Sequence, residues 1–516
     1  MSENASNNKR IARNTVYLYF RTILIMLITL YTSRVILNAL GVEDYGVYNA
    51  VGGVVSMFAF LTASLSAAIS RFITFELGRD SNDTDKLQLI FSTSVRIQVV
   101  LSFIILILGE VVGVWFLNSK MNIPPARMMA ANWVWQCCLL SFVINLISIP
   151  YNALIIAHEH MKAYAIVSIL DAALRLAICF LVVFSSYDKL ISYAVLTVAV
   201  TLIIRIAYGI YCKKNFTECK YVVNRNRELT KNMFGFASYS FLNNTVSIFN
   251  HQGINLLVNL FFGVLFNAAR GIATQVESAI MQLVNNLTVA INPQITKSYA
   301  AADKERMFSL ICKGAKYSYY LLLLFALPVF LEAEYILKLW LKIVPDYSVL
   351  FLRLTLIGAM VKMLGNTAFT AIMATGDIKK YSVWVTIVGI SAFPLTYIFY
   401  RNGYSVEYAY YSYIFAYALV EIAKLRLMKT MIGFSPMRFA KDVFLNAIVV
   451  TVIATIVPCL LFAQMPNNLT RFIIVVVTST ICVVGAAYYV GMGKTERLHL
   501  KSIVSSMLSS KTTVDL

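Results

Sequence analysis

The sequence has few charged residues for its length. Only 13% of its 516 residues are charged, whereas a soluble protein carries about 25%. This shortage excludes a set of soluble domains. Hydrophobic residues make up 59% of the chain and recur in runs long enough for a helix to cross a bilayer, which takes about 20 residues. The composition predicts an all-α polytopic membrane protein with about 14 transmembrane helices.

Acidic residues are scarcer than basic ones. The chain has 25 Asp and Glu residues against 44 Lys and Arg residues, a net charge of +19. In a soluble protein this excess would suggest nucleic acid. Here most bases fall in alternate predicted loops on the side of both termini, and short cytoplasmic loops collect Lys and Arg. The charge therefore predicts cytoplasmic termini and no nucleic-acid partner.

Motifs for catalysis and for cofactor or metal binding are scarce. The 8 cysteines form no CxxC pair, and the chain has no P-loop. His158 and His160 form a cluster without a further ligand. The longest predicted outer breaks, near 118–130 and 332–346, are too short for an enzyme domain. We therefore expect no cofactor, no metal site and no enzyme activity.

A short motif occurs twice. YNAVGGVVSM at 48–57 aligns with FNAARGIATQ at 266–275, which matches Asn49 with Asn267 and Gly53 with Gly271. Six predicted spans separate the copies, so both halves have the same orientation. Parallel six-helix repeats around a central cavity are a transporter design. Chance similarity between two apolar helices is the alternative.

The repeat predicts the organisation of the chain. We expect an N-terminal six-helix lobe at 1–212, a basic cytoplasmic linker at 213–231 and a C-terminal six-helix lobe at 232–430. Two additional transmembrane helices follow at 431–492, and a cytoplasmic tail at 493–516. Ahead of the first motif copy, Gly41 and Gly46 are expected to bracket an outer turn that carries Glu43 and Asp44.

Four segments carry a family resemblance. They are LGVEDYGVYNAV (40–51), SAAISRFITFELG (66–78), AINPQITKSYAAAD (290–303) and IMATGDIKKYSVW (372–384). Together they resemble the polysaccharide-exporting branch of the multidrug/oligosaccharidyl-lipid/polysaccharide exporter (MOP) superfamily, the O-antigen and capsular-repeat flippases. The resemblance implies two six-helix lobes around a cavity that opens alternately to each side of the bacterial cytoplasmic (inner) membrane. It also implies a substrate of undecaprenyl-pyrophosphate carrying an oligosaccharide.

Polar residues form stripes along two predicted spans. Helical spacing places them on one face, where they either line a wet cavity or hydrogen-bond to neighbouring helices. The stripe of span 232–260 comprises Ser240, Asn244, Ser247, His251, Asn255 and Asn259. The stripe of span 264–293 comprises Arg270, Thr274, Ser278, Asn285 and Asn292, with Gln282 beside it.

Basic residues within spans are candidates for the pyrophosphate. Arg donates two hydrogen bonds at once to phosphate oxygens, so we expect Arg21, Arg34 and Arg270 to contact the headgroup. Snorkelling to the membrane surface is the alternative for Arg34 and Arg270. Lys362 lies mid-span and is a further cavity candidate. With these, the candidate substrate-binding residues are Arg21, Arg34, Arg270, Lys362, Asn244, His251, Asn255, Ser278 and Asn285.

Few titratable residues are candidates for ion coupling. Asp171 and Glu277 are the only clear acids that we expect within spans, and His251 is the third candidate. Asp171 and Arg175 are four residues apart, a spacing that also allows a purely structural ion pair.

The repeat and the polar stripes predict a transporter that works by alternating access. The family resemblance implies that it is a flippase for undecaprenyl-pyrophosphate-linked oligosaccharide, an O-antigen or capsular repeat unit. Its expected partners are the lipid-linked oligosaccharide and membrane lipids. Candidate partners are a proton or sodium gradient and a glycan polymerase or glycosyltransferases. The alternatives are a cation-coupled multidrug exporter, a peptidoglycan-precursor flippase, and an embedded glycan polymerase or ligase.

Overall fold

The structure is a computed structural model that describes most of the chain. The described residues are 2–58, 62, 65–66, 69–70, 72–73, 76–77, 84–158, 160–222, 227–233, 249–375, 378–494 and 496–498.

Helices joined by short turns make up this part of the chain, which includes no strand. The α-helices are α1 Ser2–Ser56, α2 Thr84–Leu108, α3 Val114–Ser119, α4 Met128–Ala157, α5 Met161–Val183, α6 Lys189–Asn215, α7 Ile254–Phe262, α8 Val264–Ala300, α9 Lys304–Leu331, α10 Ala333–Trp340, α11 Ser348–Met363, α12 Asn366–Ala374, α13 Ile378–Ile390, α14 Ala392–Arg401, α15 Tyr408–Ile432, α16 Pro436–Phe439, α17 Asn446–Gln464 and α18 Leu469–Ala486. Single π-helical turns lie at Gly109–Gly113, Phe249–Gly253, Ala440–Leu445 and Ala487–Gly491, and a 3₁₀ turn lies at Pro125–Arg127.

Within the described ranges, 10 helical segments are long and apolar enough to cross a membrane. α8 and α15 coincide with two further predicted spans, and they are long, at 37 and 25 residues, but more polar. The remaining predicted spans, about 46–70 and 232–260, include residues outside the described ranges. The all-α membrane fold is confirmed, and the count of about 14 stays a prediction.

By contact the chain divides into two compact units. The first comprises Met1–Gln275, Trp340–Ser348 and Ile390–Ser412, and the second comprises Val276–Leu339, Val349–Gly389 and Tyr413–Leu516. The core of the first unit includes a cluster around Val47, Leu117 and Trp135. The core of the second is built around Ile311, Phe434 and Val450. The predicted lobes follow the sequence repeat, whereas these units are defined by contacts between residues. The boundaries of the lobes therefore stay a prediction.

One glycine breaks the helix ahead of each motif copy, Gly41 ahead of 48–57 and Gly263 ahead of 266–275. Gly41 interrupts α1 with φ 80° and ψ 174°, and Gly263 separates α7 from α8 with φ 89° and ψ −176°. Side chains other than glycine rarely adopt such a positive φ. The two turns therefore have the same backbone conformation.

The prediction of a turn from Gly41 to Gly46 is wrong, because the break in the helix is confined to Gly41. Gly46 is helical, and the helix resumes directly after Gly41. Glu43 and Asp44 thus lie in the first turn of the resumed helix. Acidic side chains are favourable there because they face the positive end of the helix dipole.

Candidate functional site

The two motif copies pack against each other within the first unit. A Cβ added to Gly46 would lie 2.2 Å from the carbonyl oxygen of Val264, and one on Gly271 would lie 3.0 Å from Asn49 Oδ1. The first distance is too short for any side chain because the Val264 carbonyl belongs to the backbone, so the close packing requires glycine at position 46. The second is a tight approach to a side chain. The two motif copies therefore contact each other directly, and their origin as a repeat stays a prediction.

Asparagine side chains link these copies. Asn267 Nδ2 donates to both the carbonyl oxygen and Oδ1 of Asn255 at 2.8 Å, and Asn255 Nδ2 donates to the carbonyl oxygen of Asn49 at 3.3 Å. Further along the same stripe, Asn259 Oδ1 accepts from the backbone N–H of Asn122 at 3.1 Å. The structure thus engages Asn255 and Asn259 in helix-to-helix hydrogen bonds, the second of the two roles open to the stripe.

Arg270 is buried beside this network. The residue is only 6% exposed. Its Nη2 donates a hydrogen bond to the carbonyl oxygen of His251 at 3.3 Å, and its guanidinium carbon lies 5.3 Å from the Tyr410 ring centroid. No ion pair joins Arg270 to a carboxylate of the described residues. Both of these partners, a carbonyl and an aromatic ring, are uncharged. The guanidinium therefore retains a positive charge that can attract an anion.

His251 lies in the π-helical turn Phe249–Gly253 and is partly exposed. The structure therefore brings two of the candidate residues, His251 and Arg270, into direct contact through a main-chain carbonyl. Tyr410, which completes this contact, carried no sequence signal beyond a dense tyrosine segment.

The remaining candidates of α8 lie in the second unit. Ser278 and Asn285 are exposed, and Gln282 between them is exposed as well. Glu277 is buried. An exposed polar row on a membrane-length helix is costly against lipid, which favours contact with water.

The other basic candidates each have their own surroundings. The Arg21 guanidinium stacks 4.6 Å from the Tyr164 ring centroid in the first unit. Arg34 is partly exposed in α1 and forms no hydrogen bond or ion pair with another described residue. In the second unit, Lys362 Nζ lies 5.4 Å from the Tyr417 ring centroid.

The two remaining candidates are Asp171, which forms an ion pair, and Asn244, which lies outside the described residues. Asp171 pairs with Arg175, with Oδ1 3.0 Å from Nε, as the four-residue spacing predicted. Asn244 lies outside the described residues, as do Ser240 and Ser247 of the same stripe.

The expectation that Asp171 and Glu277 are the only acids within spans is wrong. Glu421 lies within α15, is 3% exposed and is 2.7 Å from Lys424 Nζ. A further buried acid, Glu332, follows directly after α9 and forms two hydrogen bonds of 2.9 Å with Arg471. These acids are buried because each has a basic partner, so they leave no free negative charge.

An arginine clamp holds one end of the first unit. Arg127 donates to Asp44 with two 2.6 Å hydrogen bonds, from Nε and Nη2, and to Asp188 Oδ2 at 2.6 Å. Asp188 also caps α6 by accepting from the backbone N–H of Leu190 and Ile191. Burial raises the pKa of Asp188, but the hydrogen bonds from Arg127 and these N–H groups outweigh burial and bring its pKa below the ordinary 3.8.

Solved structures of transporters share this fold. A lipid II flippase, MurJ, in an inward closed conformation has a TM-score of 0.67 at 12% identity, covering 92% of this chain and 98% of that chain. A multidrug resistance MATE family transporter of the MOP superfamily, inward-facing, has 0.64 at 14%, covering 80% and 98%. A MOP superfamily transporter from Pyrococcus furiosus has 0.56 at 14%, covering 81% and 95%. The fold is thus that of the MOP superfamily.

The sequence narrows the class further. The sequence profile of a family described as "Polysaccharide biosynthesis protein" matches residues 11–302, more than half of the chain. The chain therefore belongs to the family of polysaccharide biosynthesis proteins, and the predicted membership of the polysaccharide branch of the MOP superfamily is confirmed. No curated protein matches the chain significantly.

Proposed function

We propose that the protein is a flippase for undecaprenyl-pyrophosphate-linked oligosaccharide, an O-antigen or capsular repeat unit, in the bacterial cytoplasmic membrane. The family match supports a role in polysaccharide assembly, and the shared fold supports transport. The observation that carries the substrate class is Arg270, a buried guanidinium that has no carboxylate partner among the described residues.

The chemistry of the headgroup fits the exposed and basic side chains. A pyrophosphate has oxygens that accept paired hydrogen bonds from Arg, which Arg270 and Arg34 supply. A glycan presents many hydroxyl groups, which Ser278 and Asn285 can bind from the exposed row of α8. Arg21, Lys362 and His251 complete the proposed substrate contacts. Asn255, a candidate contact by sequence, supports this site through its hydrogen bonds with Asn49 and Asn267. Asn244 belongs to the same proposal.

Alternating access by two six-helix lobes, 1–212 and 232–430, supplies the movement in this proposal. Both termini are cytoplasmic, and the two additional helices fall within 431–492. A proton or sodium gradient drives transport through His251, Glu277 or Asp171. Of these three, Asp171 pairs with Arg175. A glycan polymerase or glycosyltransferases act before and after the flippase.

Two transport alternatives share the fold. The lipid II flippase covers 92% of this chain, compared with 80% for the multidrug transporter. The larger shared length favours a lipid-linked substrate over a multidrug substrate. A peptidoglycan-precursor flippase is therefore the second candidate, and a cation-coupled multidrug exporter is the third.

Substitution of Arg270 tests the substrate class. Cells that lack the protein and any paralogue would receive wild type, Arg270→Gln or Arg270→Lys, with surface glycan as the readout. Loss of charge-assisted hydrogen bonds, each worth about 1.5–3 kcal/mol, predicts roughly tenfold or greater loss of glycan export in Arg270→Gln and partial activity in Arg270→Lys.

Exposed Arg401 is the matched control, and Arg401→Gln is expected to export normally. Protein levels in the membrane would be compared in every strain. Normal glycan in Arg270→Gln would contradict the role of Arg270. Normal glycan in alanine variants of Arg34, Arg270 and Lys362 alike would contradict the whole assignment of basic contacts.

A further inference from the structure

A pocket opens in the first unit at the C-terminal end of α6. Its volume is about 680 Å³, within the roughly 300–1,000 Å³ typical of sites for small ligands. α2 contributes Phe91 and Val95, α4 contributes Tyr151, and the rest of the lining comes from residues 213–221. None of the residues used in the proposed transport contacts lines it.

The segment after α6 is fixed against α2, which makes the pocket a built feature. Ser92 Oγ donates to the carbonyl oxygen of Lys220 at 3.3 Å and accepts from the backbone N–H of Val222 at 2.8 Å. Gln88 Nε2 donates to the carbonyl oxygen of Thr217 at 3.4 Å. The first part of the predicted linker therefore has a defined position.

Aromatic rings form the floor of the pocket. Phe91 and Tyr151 meet edge to face with centroids 5.2 Å apart. The Arg205 guanidinium lies 3.8 Å from the Tyr151 ring centroid. Phe216 stacks on the His158 ring at 4.4 Å. Such a floor offers apolar contact beneath a charged rim.

The rim is basic. Lys213, Lys214 and Lys220 line the pocket and are exposed, and none of the described lining residues is acidic. The neighbouring acid, Glu218, is 4% exposed and pairs with His158. Burial favours its neutral form, but hydrogen bonds from His158 and other groups outweigh burial and lower the pKa of Glu218. Its charge is therefore directed to His158 and does not neutralise the lysines.

The surface of α6 below the rim is apolar. Ile203, Ile206 and Ile210 are 48%, 51% and 64% exposed, and their spacing puts them on one helix face. Lys213 and Lys214 continue that face by three and four residues. A basic rim above an exposed apolar stripe has the arrangement of a headgroup above acyl chains.

We propose that this pocket binds a phosphodiester anion in the form of an anionic phospholipid, with the headgroup at Lys213, Lys214 and Lys220 and the acyl chains along Ile203, Ile206 and Ile210. The aromatic floor contacts the glycerol part of the lipid. This binding does not depend on which substrate the protein transports.

Short-chain lipids test the proposal with the full-length protein in a neutral detergent. The protein would be titrated with dioctanoyl phosphatidylglycerol, dioctanoyl phosphatidylcholine and inorganic phosphate, with binding followed by microscale thermophoresis. We expect phosphatidylglycerol to bind at least about tenfold more tightly than either of the others, since each Lys near an anionic surface contributes roughly a further fivefold in affinity.

A triple variant, Lys213→Gln, Lys214→Gln and Lys220→Gln, is expected to lose at least about tenfold in affinity for phosphatidylglycerol. The control removes the same charge at exposed Lys304, Lys313 and Lys429 and is expected to bind as wild type does. Equal binding by the pocket variant and wild type, or equal loss in both triple variants, would overturn the site. If phosphatidylcholine bound as tightly as phosphatidylglycerol, the role of charge would be overturned. If inorganic phosphate bound as tightly as phosphatidylglycerol, the assignment of the ligand as a phospholipid would be overturned.

Discussion

At the scale of single residues, Arg270 differs from the other buried charges. Glu332 and Arg471 neutralise each other through two 2.9 Å hydrogen bonds, and Glu421 and Lys424 do the same at 2.7 Å. Pairing of this kind is what makes burial of charge tolerable. Arg270 has a carbonyl oxygen and an aromatic ring instead. Its positive charge is therefore available to a phosphate, which is why the proposed function depends on it.

Asp188 yields a prediction about pH. Its pKa is lowered in the folded state, so its contribution to stability is complete above the ordinary value of 3.8 and is lost as pH falls through the folded pKa. Asp188→Asn keeps the helix cap but removes the charge facing Arg127. We expect wild type to have the higher midpoint of thermal unfolding at neutral pH, with the difference shrinking below pH 3.8.

Thermal scans of both proteins in detergent from about pH 6 to pH 3 would measure this difference. Carboxylates away from Arg127 titrate equally in both proteins, so subtraction isolates the cluster of Arg127, Asp188 and Asp44. A difference that stays constant across the whole range would show that the charge of Asp188 does not stabilise the fold.

Sequence distance determined which of these charges could be predicted. Asp171 and Arg175 are four residues apart on one helix, and their pairing followed from that spacing. Glu421 and Lys424, three residues apart on α15, have a comparable spacing. Glu332 and Arg471 are 139 residues apart. No local pattern links them, so only the tertiary fold reveals the pair.

At the scale of helices, apolar runs predicted most of the elements and a glycine predicted the first break. The outer turn was expected to begin at Gly41, and the structure breaks the helix at that residue. The role of Gly46 was not predictable from its neighbours, because it depends on the backbone of Val264, which is distant in the sequence. The polar stripes were visible from spacing. The sequence did not show which stripe residues are hydrogen-bonded to other helices, as Asn255 is, and which are exposed, as Ser278 is. Only the packing of the helices shows this difference.

The contact between the motif copies gives a prediction with a control on the same helix. A Cβ at Gly46 would lie 2.2 Å from the Val264 carbonyl oxygen, whereas one at Gly52 would meet Cys138 Sγ at an ordinary 3.8 Å. Gly46→Ala is therefore expected to destabilise the protein by about 1–3 kcal/mol through overpacking. Gly52→Ala is expected to have no effect or to stabilise it by up to about 1 kcal/mol.

Unfolding midpoints of the two alanine variants in detergent would be compared with wild type. A Gly46→Ala midpoint equal to that of Gly52→Ala would contradict the close packing of the two copies.

At the scale of the whole molecule, the membrane class, the fold and the family all followed from the sequence. Hydropathy identified a polytopic helical protein, and short motifs pointed to the MOP superfamily, which the family match over 11–302 confirms. The sequence did not predict the lysine-rimmed pocket, because its wall combines Phe91, Tyr151 and Phe216 from separate parts of the chain. The basic segment 213–231 indicated only that lysines gather there.

The central claim concerns movement of a lipid-linked oligosaccharide between leaflets. The most direct measurement uses liposomes that contain the purified full-length protein and undecaprenyl-pyrophosphate-linked repeat unit extracted from the host. The fraction of glycan that reaches the opposite leaflet would be followed by its access to an added glycosidase. We predict that wild type translocates the glycan and that Arg270→Gln does so at a rate lower by about tenfold or more. Accessibility no greater than in protein-free liposomes, with or without an imposed ion gradient, would contradict the account.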